Sequence, residues 1–291
     1  MNTPPSRADT FFAFVAWAAA LLLFWRSLAW LTSATLVREQ VAHAAIVLVF
    51  GLVFLLRDHP GGNSLVLRFG SRAMIFYAGA CLCAGLAGLF RQPVFLLFGL
   101  GFLSGAVLLF VFGETVFGPA LGFALAFAGF TALTVFVPFA DWPLRILAGK
   151  TAGWFLGLLG HPAQLGFSGE PLRLILVAGG RPFEVASECN GFGIISGCLL
   201  LALLLVFSRR LRMVDKLAML ALAPLLGLFS NALRILVIVL LAPAAGEHYF
   251  VMHEAVGLTL FFGTLAFVWW MVAGLPERGG ASASQMKSAI S

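Results

Sequence analysis

Residues 191–216 read GFGIISGCLLLALLLVFSRRLRMVDK: an uncharged apolar run from Gly191 to Phe207, then Ser208-Arg209-Arg210-Leu211-Arg212, with Lys216 close behind. A second apolar run, Leu217 to Leu241, follows at once. Two such runs joined by a short basic turn are the pattern of a transmembrane helical pair, because roughly 20 residues of helix cross a hydrocarbon core of about 30 Å. Basic residues in short loops stay cytoplasmic. The turn therefore also sets the direction of the pair, with 191–207 descending to the cytoplasm and 217–241 climbing away from it.

The rest of the chain agrees in kind. Of 291 residues, 61% are hydrophobic and only 10% are charged, whereas a soluble domain is about one-quarter charged; the mean hydropathy is +1.03. Composition thus predicts an all-α polytopic membrane protein and excludes an ordinary soluble enzyme. The net charge of +6 does not indicate nucleic acid here, since Lys and Arg concentrate in short loops and orient helices in the bilayer. Four cysteines, Cys81, Cys83, Cys189 and Cys198, offer no disulfide framework.

Working outward gives about eight transmembrane helices, near Phe11–Leu31, Val41–Leu56, Ala73–Phe90, Val94–Phe112, Gly118–Phe139, Gly191–Phe207, Leu217–Leu241 and Ala255–Val272. Leu144–Leu159, with Arg145 and Lys150, is expected to be an amphipathic or re-entrant segment. Asp141-Trp142-Pro143 is expected to mark the return to the surface after the fifth span. Eight spans place the N-terminus, the loop holding Arg57, Arg68 and Arg72, and the tail with Arg278 and Lys287 all on the cytoplasmic side. A ninth span would move that loop outside. The segment 141–188 is then extracytoplasmic, and Leu172–Ala178 and Pro182–Ala186 around Gly179-Gly180 read as a short β-hairpin-like insertion before the cysteine helix. Three parts result: 1–140 with five spans, 141–275 with the remaining three, and a disordered cytoplasmic tail, 276–291.

Three of the apolar stretches each carry one reactive residue: Cys189, Arg234 and His253. An ionisable group in a membrane segment is expensive and points to function with a named partner. In the eight-span scheme Arg234 lies about 10 Å below the outer end of its helix near Leu241, and Cys189 and His253 each precede a descending helix, so all three share one depth near the outer surface. Each also stands above a small or polar helical stripe: Gly193, Ser196 and Gly197 below Cys189; Gly227, Ser230 and Asn231 beside Arg234; Gly257 and Thr264 below His253. The residues suit cysteine catalysis. Cys189 supplies the nucleophile, Arg234 holds an oxyanion or a substrate carboxylate, and His253 moves the proton. Asn231 would orient the guanidinium, and Glu188 or Glu254 the imidazole. His253-Glu254 is not a zinc-protease helix, since Gly257 stands where the second histidine of that motif belongs, and neither cofactor nor metal is expected.

The order Cys189, then Asn231-Ala232-Leu233-Arg234-Ile235, then His253 with Gly257 resembles the exosortase/archaeosortase family of integral membrane transpeptidases over roughly Asp141 to Val272. That family commonly has Ser-Gly after the cysteine, where this chain has Asn190-Gly191. The resemblance implies a Cys189/Arg234/His253 site in the cell inner (cytoplasmic) membrane, near its extracytoplasmic face. It implies substrates that are membrane-anchored exported proteins with a C-terminal sorting signal: a PEP-CTERM-like motif, a transmembrane helix and a basic tail. Cys189 would form a thioacyl intermediate, passed to an acceptor nucleophile. Two other readings stay open: a transporter in which Arg234 binds an anionic solute, and, from the resemblance, a non-catalytic scaffold for exopolysaccharide assembly.

Overall fold

The computed structural model describes residues 7–59, 62, 65–170 and 172–277, without the side chains of 7–10, 58 and 188. Among these residues the chain forms α1 (Arg7–Val37), α2 (Glu39–Asp58), α3 (Ser71–Phe90), α4 (Val94–Phe112), α5 (Phe117–Leu158), α6 (Phe192–Ser208), α7 (Met213–Ala245) and α8 (Tyr249–Ala273). A small antiparallel sheet, β1 (Ala163–Ser168), β2 (Arg173–Ala178) and β3 (Arg181–Glu184) in that order, stands between α5 and α6.

Large apolar side chains such as Phe12, Leu22, Trp25, Ile75, Leu82, Phe139 and Trp270 lie exposed on the outer faces of the helices. In water such a surface would aggregate; in lipid it is the ordinary outer face of a span. By length and composition six stretches can cross a membrane, of which Met213–Ala273 holds both α7 and α8, while α6 is a shorter apolar helix of 17 residues. The protein is therefore a multi-pass all-α membrane protein.

Helix α6 is apolar all round and buried on nearly every side, as that composition requires. Around it pack α2, α5, α7 and α8. Small residues set the approach: a Cβ on Gly227 of α7 would stand 2.7 Å from the Cα of Ile195, and one on Gly122 of α5 would stand 2.5 Å from the Leu204 carbonyl oxygen. The C-terminal ends of α2, α6 and α8 gather around a cavity lined by His59, Ser208, Arg209, Arg210 and Glu277. There Arg209 donates to Glu277 Oε1 at 2.8 Å and to the Val272 carbonyl. The tail expected from Pro276 is described only at Pro276 and Glu277, the rest lying outside the described residues.

Helix α5 corrects the expected ending of the fifth span. It runs unbroken for 42 residues, roughly 63 Å and about twice the hydrocarbon thickness, so the helix does not end at Asp141-Trp142-Pro143, and 144–159 is not a separate segment but the continuation of the same helix to Leu158. Pro138 and Pro143 lie inside it. Pro138 has no N–H for the Thr134 carbonyl, and the Arg38 guanidinium reaches that oxygen at 3.5 Å. Beyond the prolines one face of the helix is apolar: Ala148, Ala152 and Leu156 are buried against Leu174, Leu176 and Ala178 of β2 and Ile235, Leu236 and Val239 of α7. This packing, rather than a membrane surface, takes up the amphipathic face. β2 and β3 pair across Gly179-Gly180, both at positive φ, and β1 adds a third strand, pairing Ala163 through Ser168 with Ala178 through Arg173.

Candidate active site

After β3 the chain makes a single 3-10 turn, Ser187–Cys189, then reverses through Asn190 and Gly191 into α6. Gly191 has φ of 78°, and a Cβ there would come within 2.6 Å of the Asn231 side-chain amide. Glycine is required on both counts.

The turn delivers Cys189 to His253 in the second turn of α8, with Cys189 Sγ 3.9 Å from His253 Nε2. On the other ring edge Glu254 Oε1 lies 3.5 Å from His253 Nδ1. Both Cys189 and His253 line a cavity of about 500 Å³ whose other walls include Leu176, Phe183 and Val185 from the sheet side, Ile235 and Val239 from α7, and Tyr249 and Phe250 from α8. One side is thus apolar and the other carries thiol, imidazole and carboxylate, the common make-up of a ligand pocket.

Asn231, expected to orient the Arg234 guanidinium, is 1% exposed; its Nδ2 instead donates to the Cys189 carbonyl at 3.0 Å, and its Oδ1 takes no hydrogen bond from Arg234. Arg234, one turn further along α7, lies flat against Gly257 of α8, one turn beyond His253: a Cβ on Gly257 would stand 3.0 Å from Arg234 Nη2 and 3.1 Å from Cζ. The guanidinium lines a second, smaller cavity of about 80 Å³ with Asn231, Gln40, His43, Glu39 and Glu254. Glu39 and Glu254 line both cavities. The side chain of Glu188 lies outside the described residues. The stripes also meet, Thr264 of α8 donating to Ser230 of α7 at 2.7 Å.

Three residues near the turn escaped the sequence reading. Gln40, at the start of α2, donates Nε2 to the Ser187 carbonyl at 2.6 Å. Asn190 is fully buried; its Oδ1 accepts from Phe192 N at 2.8 Å, and its Nδ2 donates to Asp141 Oδ1 at 2.6 Å. Asp141 Oδ2 in turn accepts from Arg145 Nη2 at 2.6 Å. Signals were present: Asn190 stands directly before the left-handed Gly191, where an asparagine commonly bonds the backbone two residues on, and Asp141 and Arg145 are spaced i, i+4.

A half-buried thiol, an imidazole nitrogen 3.9 Å from its sulfur and a guanidinium against the next turn of α8 thus come together in a bundle of helices long and apolar enough to cross a membrane. The chain belongs to the transmembrane exosortase family: the family model described as Transmembrane exosortase (Exosortase_EpsH) matches residues 30–270. No curated protein and no solved structure matches the chain.

Proposed function

We propose that this exosortase-family chain is a membrane-embedded cysteine protease and transpeptidase that cleaves C-terminal sorting signals of exported proteins. The observation carrying this reading is the 3.9 Å approach of Cys189 Sγ to His253 Nε2 at the wall of a half-apolar cavity. His253 Nε2 takes the thiol proton as the sulfur attacks the carbonyl carbon of the scissile peptide bond. The same nitrogen then gives that proton to the leaving amine as the C–N bond breaks, leaving a thioester on Cys189. An acceptor nucleophile, giving its proton to His253 Nε2, attacks the thioester carbon and expels the Cys189 thiolate, which takes that proton back, giving a new acyl bond and the free enzyme. Arg234 supplies fixed positive charge for the oxyanion or for a substrate carboxylate, and Glu254 orients the imidazole.

The same proposal has eight spans, α1 to α8, in the cytoplasmic membrane. Its support is the charge distribution: Arg209, Arg210, Arg212 and Lys216 lie at the end of α6 remote from Cys189, about 25 Å away along a 17-residue helix. Basic residues between two spans belong to the cytoplasmic side, which puts the cysteine end and the segment 141–188 outside. The catalytic part, 141–275, draws on α2 as well, through Glu39 and Gln40. In cells co-expressing an exported protein that ends in a PEP-CTERM-like motif, an apolar helix and a basic tail, Cys189→Ala abolishes processing and leaves the enzyme in the membrane. A thioester-linked adduct to Cys189 is captured in the wild type. Processing retained in the alanine variant rejects the cysteine mechanism.

A further inference from the structure

Within the turn that carries Cys189, Cys189 N donates to the Ala186 carbonyl at 3.0 Å and Asn190 N to the Ser187 carbonyl at 3.3 Å. Three helices bond to it through side chains, α2 through Gln40, α7 through Asn231 and α5 through Asp141. The α5 connection differs from the others in being charged. Asp141 and Arg145 have side chains only 21% and 18% exposed, and the carboxylate is divided between the guanidinium on one oxygen and Asn190 Nδ2 on the other, both at 2.6 Å.

An asparagine amide can face either way, with nearly the same shape. A carboxylate removes that freedom, because it only accepts. Asp141 therefore forces the NH2 of Asn190 toward α5 and its Oδ1 toward Phe192 N, which fixes the first turn of α6 and, through the peptide before it, the backbone of Cys189. Neither Asp141 nor Asn190 lines the cavity of Cys189 and His253 or the one of Arg234. Their influence passes through the chain.

We propose that Asp141 and Asn190 are positioning residues for the nucleophile: their hydrogen bond, anchored on Arg145, holds the cysteine turn so that Sγ stays within reach of His253. This rests on the cysteine–histidine reading above, yet its test needs no substrate. Full-length protein in isolated membranes is treated with N-ethylmaleimide at pH 7, and the modification rate of Cys189 is read by mass spectrometry together with the amount of protein in the membrane. Asp141→Asn leaves two NH donors facing each other, toward Arg145 or toward Asn190, and Asn190→Asp sets two carboxylates together. Each slows modification of Cys189 at least fivefold at unchanged membrane level. The exchange of the two, Asp141→Asn with Asn190→Asp, restores a donor to every acceptor among residues 141, 145, 190 and 192, and brings the rate back to within twofold of wild type.

Singles that react at the wild-type rate overturn the proposal, as does an exchange variant no better than the singles. Singles lost from the membrane while the exchange variant accumulates normally assign the pair to folding, which also overturns it. His253→Ala in the same assay judges the catalytic reading separately: a wild-type rate there removes the histidine as the thiol's base, whatever the exchange variant does.

Discussion

Arg234 and Gly257 form a pair in which the smaller residue defines the larger one's place. With the added Cβ of Gly257→Ala 3.0 Å from Nη2, the guanidinium must move by a few tenths of an ångström or more, and misplacement on the ångström scale has cost other active sites roughly 10²-fold. We expect Gly257→Ala to lower processing of a co-expressed substrate at least tenfold at normal membrane abundance, measured by the ratio of cleaved to uncleaved product. Arg234→Lys keeps the charge but loses the planar fork and is expected to be equally impaired. His253→Ala should lose about 10²- to 10⁴-fold, the usual contribution of proton transfer by a positioned side chain. Cys189, Arg234 and His253 were legible as candidates because reactive groups in apolar runs stand out against their surroundings. Gln40 and Asp141 were not, since polar residues at the ends of apolar runs are ordinary at a membrane surface, and Pro143 made Asp141-Trp142-Pro143 read as a turn. The two-residue reach of Asn190 to Phe192 N follows a local pattern, whereas the partner waiting for it on α5 is a tertiary fact that no local pattern encodes.

Among the elements, α5 and the sheet depend on each other. Leu176 is 1% exposed, packs among the α5 residues Ala152 and Leu156, and also lines the Cys189 cavity. Leu176→Ala is expected to destabilise the sheet's seating by about 2–5 kcal/mol. Hydrogen exchange over residues 160–186 should speed up while that in α3 and α4 is unchanged; equal protection in both would show that the sheet is seated elsewhere. The strands on either side of Gly179-Gly180 were readable because a Gly-Gly pair between apolar runs is a strong hairpin signal. β1 was missed because Ala163–Ser168 is short, weakly apolar and interrupted by Gly166, a residue that argues against strand. The length of α5 was hidden for the opposite reason: proline is a local argument for stopping a helix, and the packing of Ala148, Ala152 and Leu156 outweighs it.

For the molecule as a whole, the proposed orientation makes the Arg210 end cytoplasmic and the sheet external. With the native cysteines replaced by serine, Phe167→Cys should react with a membrane-impermeant maleimide in intact cells, and Arg210→Cys only after the membrane is opened; the reverse pattern would invert the topology. The expectation rests on the basic loops alone, because orientation is set by loop charge rather than by packing. The 42-residue α5 adds a property of larger scale. Its outer 18 residues reach about 27 Å beyond Asp141, and its two prolines, each missing one rung of backbone bonding, put the most compliant stretch of the rod beside the anchor of the cysteine turn. Spans tilt to match bilayers of different thickness, and a tilt of about 10° swings an arm of that length by roughly 5 Å at its tip. In the proposed arrangement acyl-chain length would thereby bear on the seat of the cysteine turn, and membranes of different thickness would tune the site without touching it.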